Sequence, residues 1–181
     1  TSLQNVFFGE DINIKSIGEY AFQNCQSLTN IEIPASVTSI GSGAFNLCKR
    51  LTSVHITSIE AWLNISFYST NSNPLCYEGN LYLNDVLVTD LIIPDGVTQI
   101  KSYAFYNLDS LISVELPETL TSIGQYAFSD CSGITSIVIP KEVTSIGQYA
   151  FKSCLKLKSV TLPDGLTSIK DSTFSTCKSL V

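Results

Sequence analysis

Six cysteines and a single histidine are the side chains here best suited to chemistry, and their spacing limits what that chemistry can be. Cys25, Cys48, Cys131, Cys154 and Cys177 share one phase of a recurring pattern; Leu108 holds the same phase between them, and Cys76 lies off it. A position that exchanges Cys for Leu behaves as a small hydrophobe, so a buried, reduced ladder is expected. Disulfides between successive repeats are the alternative. Stacked strands lie about 4.8 Å apart, within the roughly 4.4–6.8 Å that a bridge accepts between Cα atoms. Five in a row cannot all pair, however. No Cys-x-x-Cys or Cys/His cluster has zinc-ligand spacing, so no metal or other cofactor is called for.

His55 is expected to be an exposed strand residue beside Ser53, since nothing nearby builds the base-and-orienter arrangement that nucleophilic catalysis needs. Asp85, Asp90 and Asp95 recur at even intervals but lack the dense oxygen ligands and turn glycine of a calcium loop. They read as solvated turn and strand residues. Asn64-Ile-Ser66 matches the N-glycosylation pattern, which matters only in a eukaryotic secretory setting.

The elements that position these residues are repeats. Phe22, Phe45, Phe105, Phe128, Phe151 and Phe174 recur at one constant interval, broken only by a much longer gap between Phe45 and Phe105. A fixed period of this size marks a solenoid whose units pack only on their neighbours. In the clean unit Ile134-Thr-Ser-Ile-Val-Ile-Pro140, Ile137 and Ile139 face inward from a short strand that Pro140 ends. Val143-Thr-Ser-Ile146 gives a second extended segment, Gly147 turns the chain, and Ala150-Phe151 fills the far side of the coil.

These residues carry a resemblance. Leu-Thr-Ser-Ile-x-Ile-Pro-x-x-Val-Thr-Ser-Ile-Gly-x-x-Ala-Phe-x-x-Cys is similar to the BspA-like class of leucine-rich repeats, over nearly the whole chain. It implies a leucine-rich-repeat solenoid of about 23-residue units, mostly short parallel strands with turns and short helical segments. It also implies a place on the cell surface or in the secreted fraction, and adhesion to host or extracellular-matrix proteins.

Residues 1–181 are read as one solenoid, a fragment of a longer array with its address signals elsewhere, because neither end looks like a polar cap. Residues 57–93 are read as an insertion in the third repeat. Thr57-x-x-Glu60 suggests a capping box opening a helix from 58 to about 65 that carries Ile59, Trp62 and Leu63. Asn71-Ser-Asn-Pro74 suggests a loop. Leu81–Leu83 and Val86–Val88 around Asn84-Asp85 suggest a hairpin. The insertion is either a structural module or a binding protrusion.

Composition narrows the partners. The chain is 44% hydrophobic and 14% charged, with a net charge of −6. Scattered basic residues disfavour nucleic acid, and no stretch approaches the roughly 20 apolar residues of a membrane helix. Binding candidates lie on the outward column of the first ladder, Glu32, His55, Ile92, Glu115, Val138 and Thr161. The insertion adds Trp62. A tyrosine column adds Tyr103, Tyr126 and Tyr149, with Tyr20, and serves either to cover the coil edge or as interface area. A protein-binding module, a spacer that displays another domain, and an enzyme are the competing functions; lacking a catalytic constellation, the enzyme is least favoured. Oligomeric state is left open.

Overall fold

A computed structural model describes residues 3–9 and 12–181, which form two compact units, 1–88 and 89–181. Unit 1 contains β1 (Asn5–Val6), β2 (Ser16–Ile17), β3 (Asn30–Glu32), β4 (Ser39–Ile40), β5 (Ser53–Ile56), helix α1 (Ile59–Leu63), β6 (Ser66–Phe67), β7 (Asn80–Leu83) and β8 (Val86–Leu87). Unit 2 contains β9 (Asp90–Ile92), β10 (Gln99–Ile100), β11 (Ser113–Glu115), β12 (Ser122–Ile123), β13 (Ser136–Val138), β14 (Ser145–Ile146) and β15 (Ser159–Thr161).

Each coil spends one short strand in each of two parallel ladders. In unit 1 the first ladder runs β1-β3-β5-β7 and the second β2-β4-β6. In unit 2, β9 pairs with β11, β13 with β15, and β10, β12 and β14 form the second ladder. The aliphatic at each strand centre points inward, so Ile31, Val54 and Leu81 are fully buried, as are Ile40, Ile100 and Ile146 to within a per cent. Proline follows the first strand because it has no N–H to give a ladder. It also opens a turn: the carbonyls of Pro34, Pro117 and Pro140 accept from Val37, Leu120 and Val143 at 3.0–3.1 Å.

The far side of the coil is a third hydrogen-bonded ladder that contains no strand. Phe105 N–H donates to the Ala127 carbonyl at 2.9 Å and Phe128 N–H to that of Ala150 at 2.8 Å. Two positions per coil adopt left-handed backbone there: Tyr103, Tyr126 and Tyr149 in one slot, Asn107, Asp130 and Ser153 in the other. Asn and Asp tolerate that region better than other side chains, and in unit 1 Gly43 takes the slot that Tyr20 holds one coil earlier, with φ +65°. Phenylalanine rings stack between these turns, Phe22 on Phe45 at 5.3 Å and Phe105, Phe128, Phe151 and Phe174 at 5.3–5.6 Å.

Much of the 57–93 interval joins the ladders. Ser53 is in register with Asn80, a longer step than the regular period, and Ser39 with Ser66. The predicted helix is α1, but its cap is Ser58 rather than Thr57: the Ser58 hydroxyl accepts from Ala61 N–H at 3.1 Å. Burial of Ile59 as the first helical residue sets the cap immediately before it. Trp62 is only 1% exposed, which removes it from the binding surface. Together with Ile59 and Leu63 it forms the inward face of α1, and its ring packs on Phe67 at 5.3 Å. The expected loop is a compact turn: a 3-10 helix at Thr70–Ser72, then Asn73, whose Oδ1 accepts from Leu75 N–H at 2.9 Å. The hairpin is as read, with β8 antiparallel to β7 and left-handed Asn84 and Asp85 between them, as a type I′ turn requires.

Candidate functional site

On the outward face of the first ladder in unit 1 lies a cleft of about 670 Å³, lined by Phe7, Asn30, Glu32, His55, Ile56, Thr57, Asn84 and Asp85. Strand alternation supplies its floor. Glu32 and His55 are ladder partners and point away from the buried Ile31 and Val54 on either side. Asn30 lies two positions before Glu32, on the same face. The next coil supplies Tyr82, in register with His55, and its ring stacks on the imidazole at 4.9 Å and 11°.

The hairpin turn brings Asp85 over this floor. Its Oδ1 lies 2.9 Å from His55 Nδ1. His55 is therefore not the exposed strand residue expected: its side chain is 26% exposed, sandwiched by Tyr82 and tied to Asp85. Nor is Asp85 simply a solvated turn residue, although it remains 88% exposed. Among the described residues, the Glu32 carboxylate has no hydrogen-bond or ion-pair partner. Phe7 forms one wall and is 65% exposed. The arrangement can present acceptors and aromatic surface to a ligand. No group of three or more His, Cys, Asp or Glu among the described residues is placed to hold a metal ion.

The rest of the predicted column divides. Ile92 pairs with Glu115, and Val138 with Thr161, all exposed on unit 2. No strand pairing joins β11 to β13, so these four do not form one continuous ladder. Beside them Asp90 accepts from Ser113 and, at 2.9 Å, from Thr89; these hydrogen bonds hold its carboxyl below the usual range. The tyrosines stack, Tyr103 on Tyr126 at 5.5 Å and Tyr126 on Tyr149 at 4.6 Å, with Lys152 Nζ 5.7 Å from the last ring. Their faces cover one another, leaving each ring only partly exposed.

The cysteines are free thiols, and Cys48, Cys131, Cys154 and Cys177 donate backward by one coil. Cys48 Sγ lies 2.9 Å from the Phe22 carbonyl, Cys131 Sγ 3.0 Å from that of Phe105, and Cys154 and Cys177 repeat the contact with Phe128 and Phe151. Burial pushes the Cys48 thiol up to about 11 and Cys76 up to about 12, and raises Cys131. A thiol–thiol hydrogen bond raises Cys154 and lowers Cys177. Cys25 and Cys177 are only half-buried.

Three cleft residues escaped the sequence reading. Tyr82 pairs with His55 across a step longer than the repeat period, and so is invisible to the repeat phase. Asp85 was visible as a turn residue, but where the turn pointed was not. Phe7 was the findable one: its offset from Glu32 equals that between the unit starts Leu3 and Leu28.

Parallel ladders, inward aliphatics and stacked phenylalanines define a leucine-rich-repeat β-solenoid. The chain belongs to the BspA type leucine rich repeat family, matching that region in six copies over residues 1–82 and 78–181. Two solved structures agree on the fold. A leucine-rich repeat protein from Bacteroides ovatus is 31% identical, with a TM-score of 0.50, over 98% of this chain and 38% of its own. One from Eubacterium ventriosum is 23% identical, TM-score 0.54, over 99% and 64%. The leucine rich repeat protein of T. pallidum is also similar, at 28% identity and a TM-score of 0.49, over 100% and 69%. The chain thus spans only part of the length of each. No curated protein sequence matches the chain.

Proposed function

We propose that this chain is a non-enzymatic, adhesin-like binding module of the cell surface or secreted fraction, and that it engages a protein partner through the outward face of the first ladder. The observation that carries the reading is the cleft of unit 1, where a fixed His–Asp pair, an unpartnered carboxylate and an exposed aromatic converge on an otherwise repetitive sheet. Exposed Ile92 and Val138, at 65% and 64%, give the corresponding face of unit 2 apolar contact area. Family membership supports the surface address. Surface plasmon resonance of the chain against fibronectin, fibrinogen and whole host cells tests the proposal: saturable binding to at least one is expected, and none at micromolar concentration counts against adhesion.

A spacer role is the second reading, favoured by the coils of unit 2, where hydroxyls serve the coil itself. Thr121 Oγ1 donates to the Thr98 carbonyl at 2.8 Å and Ser132 Oγ to Asp109 at 2.7 Å. Absence of binding to any of these partners at micromolar concentration favours the spacer reading.

A further inference from the structure

We propose that the cleft of unit 1 seats an arginine side chain of the partner polypeptide. This rests on the protein-binding reading above and supplies the chemistry that it leaves open. Glu32 and Asp85 line the cleft and no Lys or Arg does. Asp85 spends one oxygen on His55, and Glu32 spends neither within the described residues. Two carboxylates with no cation beside them leave the cleft negative, which complements an incoming cation. Asn30, Asn84 and Thr57 add neutral oxygen acceptors around the same space.

Geometry then chooses among cations. A bare metal ion needs converging ligands, and the acidic and imidazole groups here do not converge on one point. An ammonium also sits over aromatic faces, but as a compact, strongly hydrated point charge it gives up more hydration to do so and cannot form a planar fork. A guanidinium is flat, carries five donors in a fixed fork, and stacks on aromatic rings. The cleft offers that combination. Phe7 presents an open ring at one wall, Glu32 can take the fork, and ladder register holds His55 flat against Tyr82, so the floor is preorganised. A volume of about 670 Å³ has room for the side chain and the peptide bonds beside it.

The chain's single histidine makes the test direct, since its imidazole resonances report the cleft without ambiguity. The whole chain is titrated at constant pH with acetyl-Ser-Arg-Ser-amide and with the same peptide carrying Lys, citrulline or Glu. Saturable shifts of the His55 Hε1 and Hδ2 signals are expected with Arg, at least about threefold weaker binding with Lys, and none with citrulline or Glu. Glu32→Gln should weaken the arginine peptide about fivefold, the scale of one partly screened charge pair. Glu115→Gln, on unit 2, should leave it unchanged. Backbone amide spectra of both variants confirm that the coil is intact. Equal responses to arginine and citrulline, equal responses to arginine and lysine, an unchanged Glu32→Gln, or silence of His55 would each overturn the proposal. The two failures separate cleanly. Host-protein binding that survives Glu32→Gln, with no response to the peptide, removes the cleft assignment and leaves the adhesin. A peptide response without any host-protein binding removes the adhesin and leaves the cleft.

Discussion

The coils of unit 2 and the third coil of unit 1 solve the same problem with different residues. In unit 2 the aromatic slot is refilled by the same side chain in every coil, so Phe105, Phe128, Phe151 and Phe174 stack without interruption, and Cys131, Cys154 and Cys177 each meet the carbonyl one coil back. In the third coil of unit 1 the sequence stops repeating but the ladders do not: β6 and β7 keep register with β4 and β5. The phenylalanine stack ends at Phe45, and the core is filled instead by Trp62, Leu63, Ile65, Phe67 and Leu75. Backbone register thus outlasts side-chain repetition. Where repetition lapses, residues become free for other work, and the turn after β7 uses that freedom to set Asp85 on His55.

If both cores are equally dry, removing their largest aromatics should cost alike. Phe128 stacks on both sides and Trp62 fills the irregular coil, and both are essentially unexposed. Phe128→Ala and Trp62→Ala are each expected to cost about 3–5 kcal/mol, read as a fall in urea midpoint. A Trp62→Ala variant that loses less than about 1 kcal/mol, the range of surface changes, would show the third coil to be loosely held, with α1 an appendage rather than core.

Glycines probe how tightly the regular coils are stacked. A Cβ at Gly147 would sit 2.5 Å from the Gln125 amide nitrogen, and one at Gly124 would sit 2.4 Å from that of Ser102. These are backbone atoms and cannot swing aside. Gly147→Ala should therefore cost about 1–3 kcal/mol through coil separation. At Gly165, where the nearest atom is 3.8 Å away, the same change should be close to neutral in the same denaturation series. In the third coil, Tyr68, next after Phe67, holds the place that Gly41 holds after Ile40, and its side chain is 67% exposed. Lys101 likewise holds this place after Ile100, so glycine marks close coil contact at Gly41, Gly124 and Gly147 and is not required for register.

These contrasts mark what could be read from residues alone. Period, ladder direction, inward aliphatics, the proline stops and the hairpin were legible because each is a local rule repeated several times. The left-handed slots were half-legible: Asn24, Asn107 and Asp130 signal one, but tyrosine hides the other, where φ is 55–66° at Tyr20, Tyr103, Tyr126 and Tyr149. Trp62 misled because a lone aromatic in an irregular segment looks like an anchor, and only packing against Phe67 shows it to be core. The cleft depends on the longer step that sets Tyr82 beside His55 and on the direction of a turn, neither of which the regular period contains.

Thiols compare the two regions by pH. Cys48 and Cys76 in unit 1 rise from 9.0 to about 11 and about 12, chiefly by burial, and Cys131 in unit 2 is raised for the same reason. A thiol that resists ionisation when folded stabilises the fold fully below its unfolded value, and that contribution is lost as pH rises through the folded one. Stability should therefore hold to about pH 9 and decline between about 9 and 11 as unfolded thiols lose protons that folded ones retain. Alkylation of the native protein at pH 8 should mark Cys177 first, because hydrogen bonding lowers it and it is half-buried. Cys131 and Cys154 should react only on unfolding. Equal labelling of all six would mean that the coils open readily.

The smallest effect on stability is expected where the proposed chemistry is greatest. Asp85 is 88% exposed, so its contact with His55 is screened, and Asp85→Asn should change the urea midpoint by less than about 1 kcal/mol equivalent. The His55 ring should nevertheless stay stacked on Tyr82, because β5 and β7 hold both residues through backbone register rather than through the pair. Two-dimensional spectra of the single imidazole separate these contributions. In Asp85→Asn the Hδ2 and Hε1 signals should move but keep their nuclear Overhauser contacts to the Tyr82 ring; in Tyr82→Ala the ring-current shift should vanish. Loss of the Tyr82 contacts in Asp85→Asn would mean that the turn carboxylate, not the ladder, orients His55. The cleft floor would then be a property of the hairpin rather than of the solenoid beneath it.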